Sequence, residues 1–98
     1  MSLTVTICTP EGEKKIEEVQ SLVVISSFGE MAVLPGHAAL VGLLDPGVAR
    51  VNLISKTERW SLSEGIIEVK QNNEVVLIVE QAEHLLSPTS LSNTIEDS

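Results

Sequence analysis

Residues 66–79 read Ile66-Ile67-Glu68-Val69-Lys70-Gln71-Asn72-Asn73-Glu74-Val75-Val76-Leu77-Ile78-Val79. Two β-rich runs flank Gln71-Asn72-Asn73, and asparagine accepts left-handed backbone angles better than most residues. The stretch therefore predicts an antiparallel hairpin. Near the N-terminus, Leu3, Val5 and Ile7 alternate with Thr4, Thr6 and Cys8, the period-two signature of a half-buried strand. Thr9-Pro10-Glu11-Gly12 turns the chain, and a polar stretch from Glu13 to Glu18 leads into Leu22 to Ser26, which reads as a more fully buried strand ended by Phe28-Gly29. Further on, Val48, Arg50 and Asn52 oppose Ala49, Val51 and Leu53, and Trp60 and Leu62 oppose Arg59, Ser61 and Ser63.

Two Pro-Gly pairs divide the middle of the chain. Leu34-Pro35-Gly36-His37 and Asp45-Pro46-Gly47-Val48 each put Pro where φ near −65° is wanted and Gly where φ > 0 is tolerated, so both read as tight type II surface turns. Ala38 to Leu44 between them suits a buried strand or one helical turn, because short apolar runs do not declare their period; we read it as strand. Short strands with turn signals every 8–12 residues, and no convincing amphipathic helix, predict an all-β sandwich or barrel. The pattern stops after Gln81. Glu83 to Leu86 has room for one helical turn, interrupted by Ser87-Pro88, and a frayed, polar tail is expected beyond it.

Composition agrees. Ninety-eight residues make one domain. The chain has 12 Leu, 12 Val and 8 Ile against one Trp, one Phe and no Tyr, so its core must be aliphatic and rich in the types that strands favour. Six Lys and Arg against 14 Asp and Glu give a net charge of −8, which lacks the basic surface that drives nucleic-acid binding. Ala38 to Leu44 is the longest uninterrupted apolar stretch, far short of the roughly 20 residues of a spanning helix. The N-terminus has no basic start followed by an apolar run, so the chain is expected to stay in the compartment where it is made. Cys8 alone allows no internal disulfide, which fits a reducing interior.

Catalytic groups are sparse. Cys8, His37 and His84 are scattered singly, without the short fixed spacings of metal ligands. Ser63-Glu64-Gly65 has no Gly two residues before the Ser and makes no nucleophile elbow. The six Gly never cluster into a phosphate loop or a dinucleotide fingerprint. The acids lie in polar stretches or opposite apolar strand positions, as on solvated sheet faces. Cys8 reads as a small packing residue rather than a reactive one, and Trp60 as an anchor in the core or at its rim. No catalytic, cofactor-binding or metal-binding residue is expected. What stands out is the loop Gly29-Glu30-Met31-Ala32-Val33-Leu34-Pro35-Gly36-His37-Ala38, whose rigid turn, acid, imidazole and apolar residues have the composition of a protein-contact surface. The plainer reading of the same residues is a structural turn in which His37 caps the backbone and Glu30 is solvated.

The string GEMAVLPGHAALVGLLDPGVARV, Gly29 to Val51, resembles the signature region of the ε subunit of F-type ATP synthases. Those subunits carry Gly-Glu-(Met/Leu)-Gly, two residues, Pro-Gly-His-Ala-Pro-Leu, and then a Pro-Gly turn before an Arg-containing strand. LTVTICTPEG from Leu3 resembles the family's opening strand and turn, and WSLSEGIIEVKQNNEVVLIVEQAE from Trp60 resembles its Ser-Gly-Gly hairpin and following strand, so the likeness covers about the first 83 residues. It implies a flattened antiparallel β-sandwich over residues 1–83 and a short, flexible tail over 84–98. It also implies a non-catalytic rotor subunit of the central stalk, with the γ subunit and the c-ring as partners and no cofactor. Gly29, Glu30, Met31, Pro35, Gly36 and His37 would then face the ring, with Glu30 pairing a basic c-loop side chain. The protein would be peripheral on the cytoplasmic face of an inner or thylakoid-type membrane, touching it only through the complex.

The sequence departs from the family's pattern at several positions. Ala32 and Ala39 replace an expected Gly and Pro, Ser27-Phe28 brings an aromatic where a polar residue is usual, and Glu64 replaces the first Gly of Ser-Gly-Gly, where a positive φ would strain it. Most members continue into a nucleotide-binding helical hairpin whose Ala-rich, charged pattern has no counterpart in Glu83 to Ser98, so neither nucleotide binding nor hairpin-mediated inhibition is expected. The alternative reading is a stand-alone β-sandwich module with another partner, which a deep apolar pocket with convergent polar groups would favour. ATP is expected to leave the thermal midpoint of the chain unchanged; a midpoint that rises with ATP concentration would mean nucleotide binding to the native state.

Overall fold

The computed structural model describes residues 1–86. Residues 87–98 of the expected 84–98 tail lie outside the described residues. Ten strands follow one another: β1 (Leu3–Thr9), β2 (Gly12–Val19), β3 (Ser21–Ser26), β4 (Gly29–Val33), β5 (Leu40–Leu44), β6 (Gly47–Asn52), β7 (Thr57–Leu62), β8 (Gly65–Val69), β9 (Glu74–Val79) and β10 (Ala82–Leu85). They are hydrogen-bonded in the order β10-β7-β6-β3-β5-β8-β9-β1-β2, with β4 on the other side of β3. The sheet folds over where β3 meets β5 through the single pair Ser26 and Leu44. One layer is then β2-β1-β9-β8-β5 and the other β4-β3-β6-β7-β10. The architecture is the all-β sandwich expected, with one exception to antiparallel pairing: β1 runs parallel to β9, Thr4 opposite Glu74 through Cys8 opposite Ile78. Parallel neighbours need a long connection, and here almost the whole domain supplies it.

The period-two pattern decides which face is inside. Leu3, Val5 and Ile7 are buried, as are Ala49, Val51, Trp60 and Leu62, while their alternating neighbours look outward. Leu22, Val24, Val33, Ile67, Val69, Val75 and Leu77 complete an interior in which the described residues include no buried polar or charged side chain. Each fully buried aliphatic side chain contributes about 1.5–3 kcal/mol, so this interior dominates stability.

The Gln71-Asn72-Asn73 hairpin forms as predicted, Gly65 opposite Val79 and Val69 opposite Val75, with Asn73 at φ 64°. Leu34-Pro35-Gly36-His37 is also a type II turn: Gly36 has φ 86° and the His37 amide donates to the Leu34 carbonyl at 3.0 Å. The second Pro-Gly pair is not a turn of that kind. Gly47 is already the first residue of β6, and a Cβ there would meet Ile25 Cγ1 at 2.7 Å, so close approach to β3 explains this glycine rather than a left-handed backbone. Glu64 is unstrained, because only Glu18 and Asn73 among the described non-glycine residues have positive φ.

Three segments differ from the sequence reading. Glu13 to Glu18 lies inside β2, an edge strand whose outer residues are charged, which hid its alternation and also blunts the edge against further pairing. Gly29 to Val33 is β4 rather than loop. Glu83 to Leu86 makes no helical turn, because Ala82–Leu85 pairs with Leu62 to Arg59 of β7 and so continues the sheet past residue 83.

The register of β1 on β2 slips between Leu3 opposite Val19 and Val5 opposite Ile16, which places one extra residue in β2. Glu18, at φ 60°, falls in that bulge. Glu18→Gly is expected to raise stability by about 0.5–1 kcal/mol by relieving the left-handed backbone, whereas Glu17→Gly in the same strand should lower it. Thermal unfolding of the two variants checks the opposite signs.

Candidate functional site

The candidate contact residues sit on two consecutive pieces of chain. The first is the β3–β4 hairpin. Its two-residue tip, Ser27-Phe28, is fixed by the Ser26 hydroxyl, which accepts from the Phe28 amide at 3.1 Å and donates to the Gly29 carbonyl at 2.8 Å. Beyond the tip the strand alternates: Glu30 and Ala32 point outward, while Met31 packs on the core beside buried Val33. Glu30 is therefore a surface group and Met31 is largely a core residue. The Glu30 carboxylate accepts from Arg50 Nη1 on β6 at 3.4 Å, with both side chains about half exposed at 58% and 45%. An ion pair of that exposure is worth at most about 1 kcal/mol.

The second piece is the Pro35-Gly36 turn beyond the far end of β4. The Gly36 amide donates to Asn73 Oδ1 at 2.8 Å, tying this turn to the β8–β9 hairpin. His37 Nδ1 donates to the Ala38 carbonyl at 2.7 Å, so the imidazole braces its own loop. Gly29, Glu30 and Met31 thus lie in the first half of β4, and Pro35, Gly36 and His37 follow its last residue.

A broader feature escaped the sequence reading. On the outer face of β5, β8 and β9, Val41, Leu43, Ile66 and Ile78 are 72%, 63%, 42% and 50% exposed. Leu43 lies opposite Ile66, Ile66 opposite Ile78, and Ile78 opposite Cys8, so they form one apolar row across four strands. The open concavity on this face, about 450 Å³, is lined by Cys8, Pro10, Ile66 and Ile78 among others and is no enclosed small-molecule pocket. The signal was present in Ala38 to Leu44 and in Val75 to Val79, which are apolar at consecutive positions: one set of side chains fills the core and the other is left outside. Ala38 to Leu44 is expected to be a buried strand, and here one of its faces is open.

Cys8 at the end of this row is half-buried. Burial pushes its thiol above the ordinary value, and the Glu13 carboxylate across the β1–β2 ladder adds to the shift. A thiol held protonated is a poor nucleophile at neutral pH. Trp60 and His84 also meet, on neighbouring β7 and β10: their rings stack with centroids 4.6 Å apart and planes 8° apart, and Trp60 Nε1 donates to Glu58 Oε1 at 3.1 Å. Among the described residues no group of three or more His, Cys, Asp or Glu side chains has the arrangement to hold a metal ion, and no helix is long and apolar enough to cross a membrane.

The sequence model of the ATP synthase Delta/Epsilon chain beta-sandwich domain matches residues 2–85. The chain is 42% identical over 71 residues to the ATP synthase epsilon chain of Carboxydothermus hydrogenoformans, covering 72% of this chain and 53% of that one. To the ATP synthase epsilon chain of Desulfitobacterium hafniense it is 33% identical over 82 residues, covering 84% and 61%. The chain thus spans between half and two thirds of the length of these relatives. Its fold is similar to that of a chain in the Euglena gracilis mitochondrial ATP synthase with its c-ring, at a TM-score of 0.79 and 23% identity over 97% of this chain and 62% of that one. It also resembles a chain in the central stalk and c-ring of the Tetrahymena thermophila mitochondrial ATP synthase, at a TM-score of 0.73, 16% identity and coverage of 85% and 66%.

The raised thiol predicts slow chemistry at Cys8. Alkylation by iodoacetamide at neutral pH is expected to lag behind a free peptide thiol, to rise with pH later than for that thiol, and to quicken in Glu13→Gln. The sign follows because the folded state favours the proton, so the thiolate appears later than in the unfolded chain. Rates equal to those of a peptide thiol at every pH would contradict this account of the site.

Proposed function

The chain belongs to the ATP synthase delta/epsilon β-sandwich family, and on that premise we propose that it is a non-catalytic rotor subunit that joins the γ subunit to the c-ring and passes ring rotation to the catalytic head. The observation that carries the proposal is the open aliphatic row of Leu43, Ile66 and Ile78, with Val41 beside it. Aliphatic side chains left in water on a rigid sheet gain from permanent cover, and lasting interfaces are the more apolar ones. This face is assigned to γ. Glu68 stands within it, opposite Val41 on one side and Val76 on the other, so the covering surface needs a cation at that place.

The ring contact needs other chemistry, because a contact with polar c-ring loops is a contact between hydrated surfaces. The hairpin and turn that carry Gly29, Glu30, Met31, Pro35, Gly36 and His37 provide a charge and exposed backbone on a fixed frame, and they are assigned to the ring. Met31 contributes there by holding β4 on the core. Glu30 already has a partner in Arg50, so a basic ring side chain would share or replace that weak pair at small cost. Relatives carry the name ATP synthase epsilon chain, and similar folds occur in assemblies containing a central stalk and a c-ring. On this reading the protein would meet the membrane only through the complex, on the cytoplasmic face of an inner or thylakoid-type membrane.

Co-expression with the γ subunit of the same genome, followed by capture and size exclusion, tests the division of surfaces. Wild type and Glu30→Lys are expected to form a one-to-one complex, while Leu43→Glu and Ile78→Glu, folded by circular dichroism, should lose γ by roughly 30-fold or more, as when an interface anchor is removed. A folded wild-type chain that forms no complex with γ overturns the stalk role, and binding that survives both face variants moves γ to another surface.

A further inference from the structure

Asn73 does three things at one point in the fold. Its backbone, at φ 64°, closes the β8–β9 hairpin. Its carbonyl accepts the Thr4 amide at 3.0 Å, where the parallel β1–β9 pairing begins. Its side-chain oxygen accepts the Gly36 amide at 2.8 Å, across 37 residues of chain. This last bond lies at the surface, between half-buried Asn73 and exposed Gly36. The amide that Asn73 holds belongs to a turn whose other hydrogen bonds, the His37 amide to the Leu34 carbonyl and the His37 imidazole to the Ala38 carbonyl, are both local to the loop. Leu34, Gly36 and Ala38 are exposed. The Asn73 side chain thus makes a polar link between the tip of the Pro-Gly turn and the rigid sheet.

We propose that Asn73 is a positioning residue for the Pro35-Gly36-His37 surface: its side-chain carbonyl fixes the height and tilt of that turn on the sandwich, and so prepares it for the ring. This rests on the assignment of the turn to the c-ring. A turn restrained only by its own bonds must be ordered on contact, and ordering costs affinity; a turn already fixed to a sheet does not incur that cost. The residue type fits both demands. Glycine at this place would keep the left-handed backbone and lose the acceptor. Aspartate keeps an acceptor oxygen at the same reach and tolerates φ > 0. Other side chains would strain the hairpin.

The two substitutions separate the roles. In Asn73→Gly the hairpin, the Thr4 bond and the fold remain, and exchange of the Gly36 amide, read by NMR on the full chain, is expected to rise about fivefold as one neutral hydrogen bond is lost. In Asn73→Asp it should stay slow. With the γ complex assembled on the c-ring of the same host, Asn73→Gly should weaken ring capture by roughly three- to tenfold, leave γ capture at the wild-type level, and be rescued by Asn73→Asp. A Gly36 amide that stays protected in Asn73→Gly overturns the proposal, because the turn is then held by something else. Faster exchange with unchanged ring capture leaves Asn73 holding the turn but removes the turn from the ring contact, overturning the assignment on which the proposal rests. Loss of γ and ring capture together would mark a general structural defect and likewise overturn a positioning role.

Discussion

The structure depends on one corner. Ser26 of β3 pairs with Leu44 of β5, and beside it the Ser27 amide donates to the Leu43 carbonyl and the Asp45 amide to the Ile25 carbonyl. These main-chain bonds let one sheet pass from one layer to the other without leaving the ladder unpaired, so the two aliphatic faces close on each other. Gly47 belongs to the same corner, since a side chain there would meet Ile25 as β6 comes alongside β3. The corner also directs the contact surfaces: it sends β4 out on one side of β3 and turns β5 to show Val41 and Leu43 to solvent.

Much of this was legible in the sequence because period two is a strong signal wherever one face is wet. Leu3, Val5 and Ile7, or Trp60 and Leu62, state their orientation by their neighbours alone. The Asn73 hairpin and the Pro35-Gly36 turn were legible for a different reason: each needs a backbone angle that few residue types supply. The losses have physical causes as well. In β2 a row of charged residues met solvent on both sides of an edge, so the alternation vanished. In Asp45-Pro46-Gly47 the same dipeptide that makes a turn elsewhere served a close approach, and only a three-dimensional neighbour distinguishes the two uses. The last strand was missed because Ala82, Glu83, His84 and Leu85 are all exposed or only half-buried and carry almost no pattern, while their partner β7 defines them fully.

The candidate site was half legible. Its residue types were visible in the stretch around Glu30 and His37, but not that Met31 turns inward, that Arg50 from a distant strand reaches Glu30, or that Asn73 holds Gly36. Each of those facts is a long-range contact between residues at least 20 apart or a matter of strand phase. The aliphatic row was hidden differently: sequence shows how many apolar residues a strand has, and not whether both of its faces are covered.

Magnitudes explain how such a surface can be both fixed and ready to exchange partners. The core holds each strand with about 1.5–3 kcal/mol per buried aliphatic side chain, and the turn angles at Gly36 and Asn73 are set by backbone sterics that no solvent change alters. The charges on top are weaker by several-fold: the exposed Glu30–Arg50 pair contributes about 1 kcal/mol at most, and salt reduces it further. Position is thus written in the backbone and the interior, while charge pairing remains free to change. A chain built this way keeps its shape whether or not Glu30 stays with Arg50, because little of its stability resides in that pair. The net charge of −8 acts at a third level, keeping free chains apart while an aliphatic row is uncovered, and a cationic partner surface would remove that repulsion as it covers the row.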